Sequence, residues 1–194
     1  MTVMPQTSTL LQHHHDYLMC HRRGEVNEPL LAQMYASWMC HQGAMPLYLG
    51  LSLDVFRSMM AYHFPSLPDL PLPQAVTGLQ AERLPELDDL RALLQQFHSQ
   101  PPPDAGWMVE IVCAGCMGNN HLWQDLGLWS RRDLSQLMQT NFHDLAAQNT
   151  KDMKWKKFLY KQLCEAEGIY VCRAPSCEVC VDYAMCFNTP EVMP

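Results

Sequence analysis

Ser130-Arg131-Arg132-Asp133-Leu134-Ser135-Gln136-Leu137-Met138-Gln139-Thr140-Asn141-Phe142-His143-Asp144-Leu145 is the stretch that decides the fold class. Ser130 and Asp133 have the spacing of a helix-start capping box. Leu134, Leu137, Met138, Phe142 and Leu145 then recur at a period near 3.6, so the segment predicts one amphipathic helix. Comparable patterns lie on both sides. Downstream, Trp155, Leu159, Leu163 and Ala166 mark the apolar face of a helix over 151–166, which Gly168 ends. Upstream, 107–117 is apolar enough for a buried helix. Leu87, Leu90, Leu94 and Phe97 form one stripe of a helix over 84–98.

Earlier still, 52–63 opens at Ser52 as N-cap and carries Val55, Met59 and Tyr62 at helical spacing; 28–42 reads as a further helix. Convincing period-2 alternation is scarce, and so is glycine, with 9 residues. The fold class expected is therefore mostly α, a helical domain with a cysteine-rich metal-binding loop at its C-terminal end. Prolines at 65, 68, 71 and 73 exclude a regular element there. Pro101, Pro102 and Pro103 form a stiffer break. We expect this break to separate an N-terminal helical region, 1–104, from a C-terminal functional region, 105–194.

Bulk properties narrow the function. A formal charge of −7 and a pI near 5.6 speak against general nucleic-acid binding. No run approaches 18 apolar residues, so no membrane span is expected. The first twenty residues lack the charged start and apolar run of a signal peptide, which makes the cytoplasm the expected location. Nine cysteines is a high count for such a compartment, where metal binding or redox chemistry is the commoner use.

Four of them, Cys172, Cys177, Cys180 and Cys186, fall in one loop with the spacing C-x4-C-x2-C-x5-C. Thiolate is the preferred ligand of iron–sulfur clusters, and four thiolates also complete a structural zinc site. Spacing alone leaves both open. All five lysines, Lys151, Lys154, Lys156, Lys157 and Lys161, lie on the preceding helix. At 100° per residue, Lys151, Lys154, Lys157 and Lys161 share one side of it, with Cys164 at the edge. Such a stripe is either a solvated face or a device. As a device it offsets the charge of a thiolate-bound cluster, attracts an oxyanion such as molybdate, or docks an acidic partner.

Cys113 and Cys116 form a further C-x2-C, followed by His121 and Asp125. His121 and Cys116 are candidates for an additional ligand, with Asp125 orienting the imidazole; the alternative is two buried cysteines and a helix-start histidine. The tract His13-His14-His15 is expected to lie in an unstructured terminus. No nucleotide-binding glycine motif or nucleophile constellation points to an enzyme.

Taken in order, Asn120-His121-Leu122-Trp123-Gln124-Asp125-Leu126-Gly127-Leu128, Asp152-Met153-Lys154-Trp155-Lys156-Lys157-Phe158, Leu163-Cys164-Glu165 and the four-cysteine loop ending Cys186-Phe187 resemble the NifQ family of nitrogen-fixation proteins. The resemblance covers about 107–190 and only loosely the first hundred residues. It implies a molybdenum carrier rather than an enzyme, donating to assembly of the nitrogenase iron–molybdenum cofactor. The implied cofactor is an iron–sulfur cluster, of a three-iron type able to incorporate molybdenum, on Cys172, Cys177, Cys180 and Cys186. His121, Cys116 and Cys164 are implied as site-lining or additional ligands, and Lys154, Lys157 and Lys161 as the oxyanion or partner dock. The implied partners are the cofactor-assembly scaffold and reductase proteins, with molybdate or a molybdenum storage or uptake protein as source. The competing expectation is a zinc-binding interaction module that transfers no metal.

Overall fold

The computed structural model describes residues 6–68, 70, 72, 84–101 and 103–166; the four-cysteine loop lies outside the described residues. Among those described, the regular elements are helical throughout. They run α1 (Gln6–Cys20), α2 (Glu28–Met39), a 3-10 turn (Leu47–Gly50), α3 (Leu53–His63), α4 (Leu84–Phe97) and α5 (Asp104–Cys116). Then follow α6 (Leu122–Asp125), α7 (Arg131–Asn141), α8 (His143–Ala147) and α9 (Trp155–Ala166). None of these helices is long and apolar enough to cross a membrane.

The apolar core explains the arrangement. Helix α5 is hydrophobic almost all round, and Met108, Val109, Ile111, Val112, Cys113 and Cys116 are all buried, so it serves as the central helix. Against it packs α4, through the expected stripe of Leu87, Leu90 and Leu94. Arg91 on α4 clamps Glu110 on α5 bidentately, at 2.6 and 3.0 Å. Helices α8 and α9 close over α4, and α1 pairs with α2. One contiguous cluster of buried side chains runs from Leu18 to Tyr160, across the triple-proline break.

Three local expectations change. The helix read over 130–145 is interrupted: Phe142 sits at φ −138°, ψ 52°, and splits it into α7 and α8. On α3 the inward face is Phe56, Met59, Met60 and His63, whereas Val55 is exposed. Ser52 does cap α3, accepting from the Val55 N–H. The histidine tract belongs to α1, where His14 meets the Tyr35 ring edge-on and His15 packs against Trp129, tilted by 45° with ring centroids 4.9 Å apart. Burial lowers the pKa of His14, and His13 beside it adds to the effect.

The break in α7 follows from a buried polar cluster. Asn141 turns inward and exchanges amide hydrogen bonds with Asn27, both at 2.9 Å, while its amide nitrogen also donates to the Leu137 carbonyl. Asn27 donates as well to Asp104, whose other oxygen lies 3.0 Å from His63 Nε2. Glu28 accepts the Arg23 and Gly24 N–H groups, tying the α1–α2 connection to the same place. Burial pushes the Asp104 carboxyl up, but the His63 and Asn27 contacts outweigh it, and its pKa settles below the ordinary value.

A depressed carboxylate contributes stability that is present above its unfolded pKa and lost as pH falls through its folded pKa. Asp104→Asn is therefore expected to cost about 1–3 kcal/mol near neutrality and to flatten the acid limb below about pH 4. Urea midpoints at pH 7 and pH 3.5 for both proteins check this; equal acid losses in the two would contradict it.

Candidate metal-handling site

The run around His121 is held from two sides. Asp125 is fully buried and accepts hydrogen bonds from the Asn120 backbone (3.0 Å), the Asn120 side chain (3.2 Å) and the Lys156 ammonium. Lys156, only 7% exposed, also donates to the Gly118 carbonyl at 2.8 Å. This buried pair joins the start of α9 to the α5–α6 connection. Gly118 has to be glycine here, because a Cβ would collide with the Asp125 carboxylate. The carboxylate that the sequence suggested as a partner for His121 is thus committed to Asn120 and Lys156.

From the other side, the N-terminal half grips the same loop. The Ala44 N–H donates to the Asp125 carbonyl at 2.9 Å and the Ser37 hydroxyl to the Gly127 carbonyl at 2.6 Å. Gln33 accepts from the Trp129 N–H at 3.2 Å. Gly43, at φ +86°, lets this turn approach: a Cβ would stand 2.9 Å from the Gln124 carbonyl oxygen. The first hundred residues therefore supply the support on which the loop rests.

Between these braces lies a cavity of about 240 Å³, bounded by 120–123, the first turn of α7 and the entry to α9. His121 is the half-buried N-cap residue of α6, with φ −64° and ψ 144°. Its N–H donates to Gln124 Oε1 at 3.3 Å, so the helix-start role anticipated for it is real. Ser130 caps α7 as read from sequence, accepting from the Asp133 N–H at 3.1 Å. Before α9, Asn149 exchanges two hydrogen bonds with the Met153 backbone, at 2.8 and 2.9 Å. Asp152 beside it takes the left-handed conformation at φ 48°. Each wall of the cavity is thus fixed by local side-chain-to-backbone bonding.

The lining is strongly cationic. Lys154, Lys156 and Lys157 come from α9 and its approach, and Arg131 and Arg132 from α7; Asp152 is the one carboxylate among them. Five of the chain's 13 lysines and arginines meet here although the chain as a whole carries −7. The fold thus places Lys154 and Lys157 around the same cavity as His121, a juxtaposition that the sequence reading did not make. It adds Arg131 and Arg132, which sequence reading missed; the signal was there in an arginine pair directly after a helix cap. Trp123 and Trp155 contribute flat walls.

The remaining candidates fall elsewhere. Lys161 lies a turn further along α9, beside a separate groove and 3.6 Å from Glu165. Cys164 is half-buried on the last turn of α9. Cys116 and Cys113 are fully buried within the core cluster rather than in the cavity wall. Burial pushes the Cys113 thiol far up, with Cys116 and Glu110 adding to the shift. Both thiols thus sit in the apolar core, away from the cavity lining. Among the described residues no three His, Cys, Asp or Glu side chains converge to hold a metal ion. Cys172, Cys177, Cys180 and Cys186 lie outside them.

Comparison with known proteins gives one answer. The NifQ family profile matches residues 30–188. Protein NifQ of Azotobacter vinelandii is 38% identical over 188 residues, covering 91% of this chain and 95% of that protein. Protein NifQ of Rhodobacter capsulatus is 35% identical, covering 81% and 86%, and that of Klebsiella pneumoniae 34% identical, covering 81% and 96%. No solved structure matches. With a family match across most of its length and relatives above 30% identity that it spans nearly end to end, the chain belongs to the NifQ family of nitrogen-fixation proteins.

Proposed function

We propose that this protein carries molybdenum for construction of the nitrogenase iron–molybdenum cofactor, on an iron–sulfur cluster bound by Cys172, Cys177, Cys180 and Cys186. The observation that carries the reading is the four-thiol spacing C-x4-C-x2-C-x5-C in a chain of this family. Four thiolates on one segment suit an iron–sulfur cluster. The buried Cys113 and Cys116, packed in the core, leave the loop as the place for soft-metal chemistry. When bound, the cluster supplies sulfur and iron as the seat for the molybdenum cargo. The chain's own part is to hold that loop at the end of α9 and to keep α9 fixed through Lys156 and Asp125.

A carrier has to bind its metal and also release it, which favours ligands near solvent over a closed core site. Delivery then goes to the scaffold and reductase proteins of cofactor assembly, with molybdate or a molybdenum storage or uptake protein upstream, and the expected setting is the cytoplasm.

The test is metal analysis of protein purified without air, with and without added molybdate. Iron in every preparation, with molybdenum rising toward one per chain on addition of molybdate, is the expected result. Zinc without iron would overturn the reading and make the loop a closed structural site.

A further inference from the structure

We infer that the cavity between α6, α7 and α9 binds a tetrahedral oxyanion, and that molybdate is captured there before it reaches the cysteine loop. The inference rests on the molybdenum-carrier reading for the identity of the anion, and on the cavity for its chemistry.

The cavity is cationic in an acidic chain. Arg131 and Arg132 from α7 line it together with Lys154 and Lys157, whereas Lys156 is already paired with Asp125. Arginine offers a planar fork that matches paired oxygens, and lysine a compact charge, so the two together suit an anion with oxygens directed to several sides. Both helices also begin here. Helix α7 has 11 residues and α9 has 12, and each presents its positive dipole end to the same space.

The placement of the cations sharpens the point. Basic side chains at a helix start oppose the dipole, and the first turn of α9 carries two lysines and no acidic residue. An anion in the cavity adds negative charge at both helix starts, beside Asp133 on α7 and the Asp125–Lys156 pair at α9. His121 at the third wall adds a ring nitrogen at its edge. Size favours a small anion over a docked acidic protein: a cleft of about 240 Å³ is small beside a broad interface. No bond is made or broken in this capture. The oxyanion exchanges water for cationic donors and keeps its four oxygens.

Equilibrium dialysis with sodium molybdate as probe separates the cavity from the loop. The first protein is the full chain carrying Cys172→Ser, Cys177→Ser, Cys180→Ser and Cys186→Ser. We expect it to retain one molybdate per chain. Adding Arg132→Gln and Lys157→Gln should weaken retention about tenfold or more, while Arg57→Gln on α3 leaves it within about twofold. The same pair of substitutions in the wild-type chain repeats the test without the serines, and thermal unfolding certifies each fold. Unchanged retention in the folded Arg132→Gln/Lys157→Gln proteins would overturn the inference. So would absence of molybdate from the folded four-serine protein, which would place the anion on the thiolates.

Competition settles the source. Retention that survives equal phosphate or sulfate supports molybdate as the occupant; displacement by either at equal concentration overturns that assignment. Zinc without iron in the wild-type loop would remove the carrier reading but leave cavity binding standing. Iron and molybdenum in the wild type with no effect of the cavity substitutions would remove only the cavity.

Discussion

Replacing Lys156 with methionine is expected to lower the stability of the fold by about 3–5 kcal/mol, because it strands a carboxylate in the interior. Asp125 is fully buried and Lys156 nearly so. With the ammonium gone, Asp125 keeps the two Asn120 donors but loses its counter-charge, and the Gly118 carbonyl loses its donor. For a chain of 194 residues the melting temperature should fall by roughly 10 °C. The double variant Asp125→Leu/Lys156→Met is expected to recover part of the loss, since an apolar pair often replaces a buried ion pair at little cost. Recovery stays incomplete because the Asn120 N–H then lacks its acceptor. A double-mutant cycle in urea measures the coupling; a single Lys156→Met variant within 1 kcal/mol of wild type would show that the pair behaves like a surface contact.

The second large effect concerns the loop. Cys180→Ser is expected to reduce bound iron to less than about a tenth of wild type, because hydroxyl oxygen substitutes poorly for thiolate at a cluster. Molybdenum donation in a reconstituted cofactor-assembly assay should fall with it. Cys113→Ala supplies the contrast. That thiol is buried in the core on α5, so its loss should cost about 1 kcal/mol of packing and leave the iron in place. Iron retained in Cys180→Ser, or lost in a folded Cys113→Ala, would reverse the assignment of ligands. The readout is iron per chain after anaerobic purification.

Much of the helical layout could be read directly. Leu87, Leu90 and Leu94 are buried as one stripe, and Ser52 and Ser130 cap the helices they precede. These are local matters: a 3.6 period and a hydroxyl at a helix start act within a few residues. What escaped the sequence depends on distant partners. Asn141 looks like an ordinary polar position on α7, yet it is buried because Asn27, 114 residues away, pairs with it. The helix ends at that point in consequence. Lys156 reads as one more lysine in a solvated run, and only the position of Asp125 makes it an interior group. Arg131 and Arg132 join the lysines for a similar reason: the α7 cap and the Asn149 turn bring two helix starts together that lie more than twenty residues apart.

The length of α9 sets a travel problem. Its first turn lines the cationic cavity, and its last residue, Ala166, precedes Cys172 by six positions. Twelve helical residues cover about 18 Å, so the cavity and the far end of α9 are separated by roughly that distance. Six residues of extended chain span at most about 20 Å. That upper bound is about equal to the length of α9. If molybdate passes from the cavity to the cysteines within one chain, as proposed, the length of α9 sets the reach that the following residues must supply.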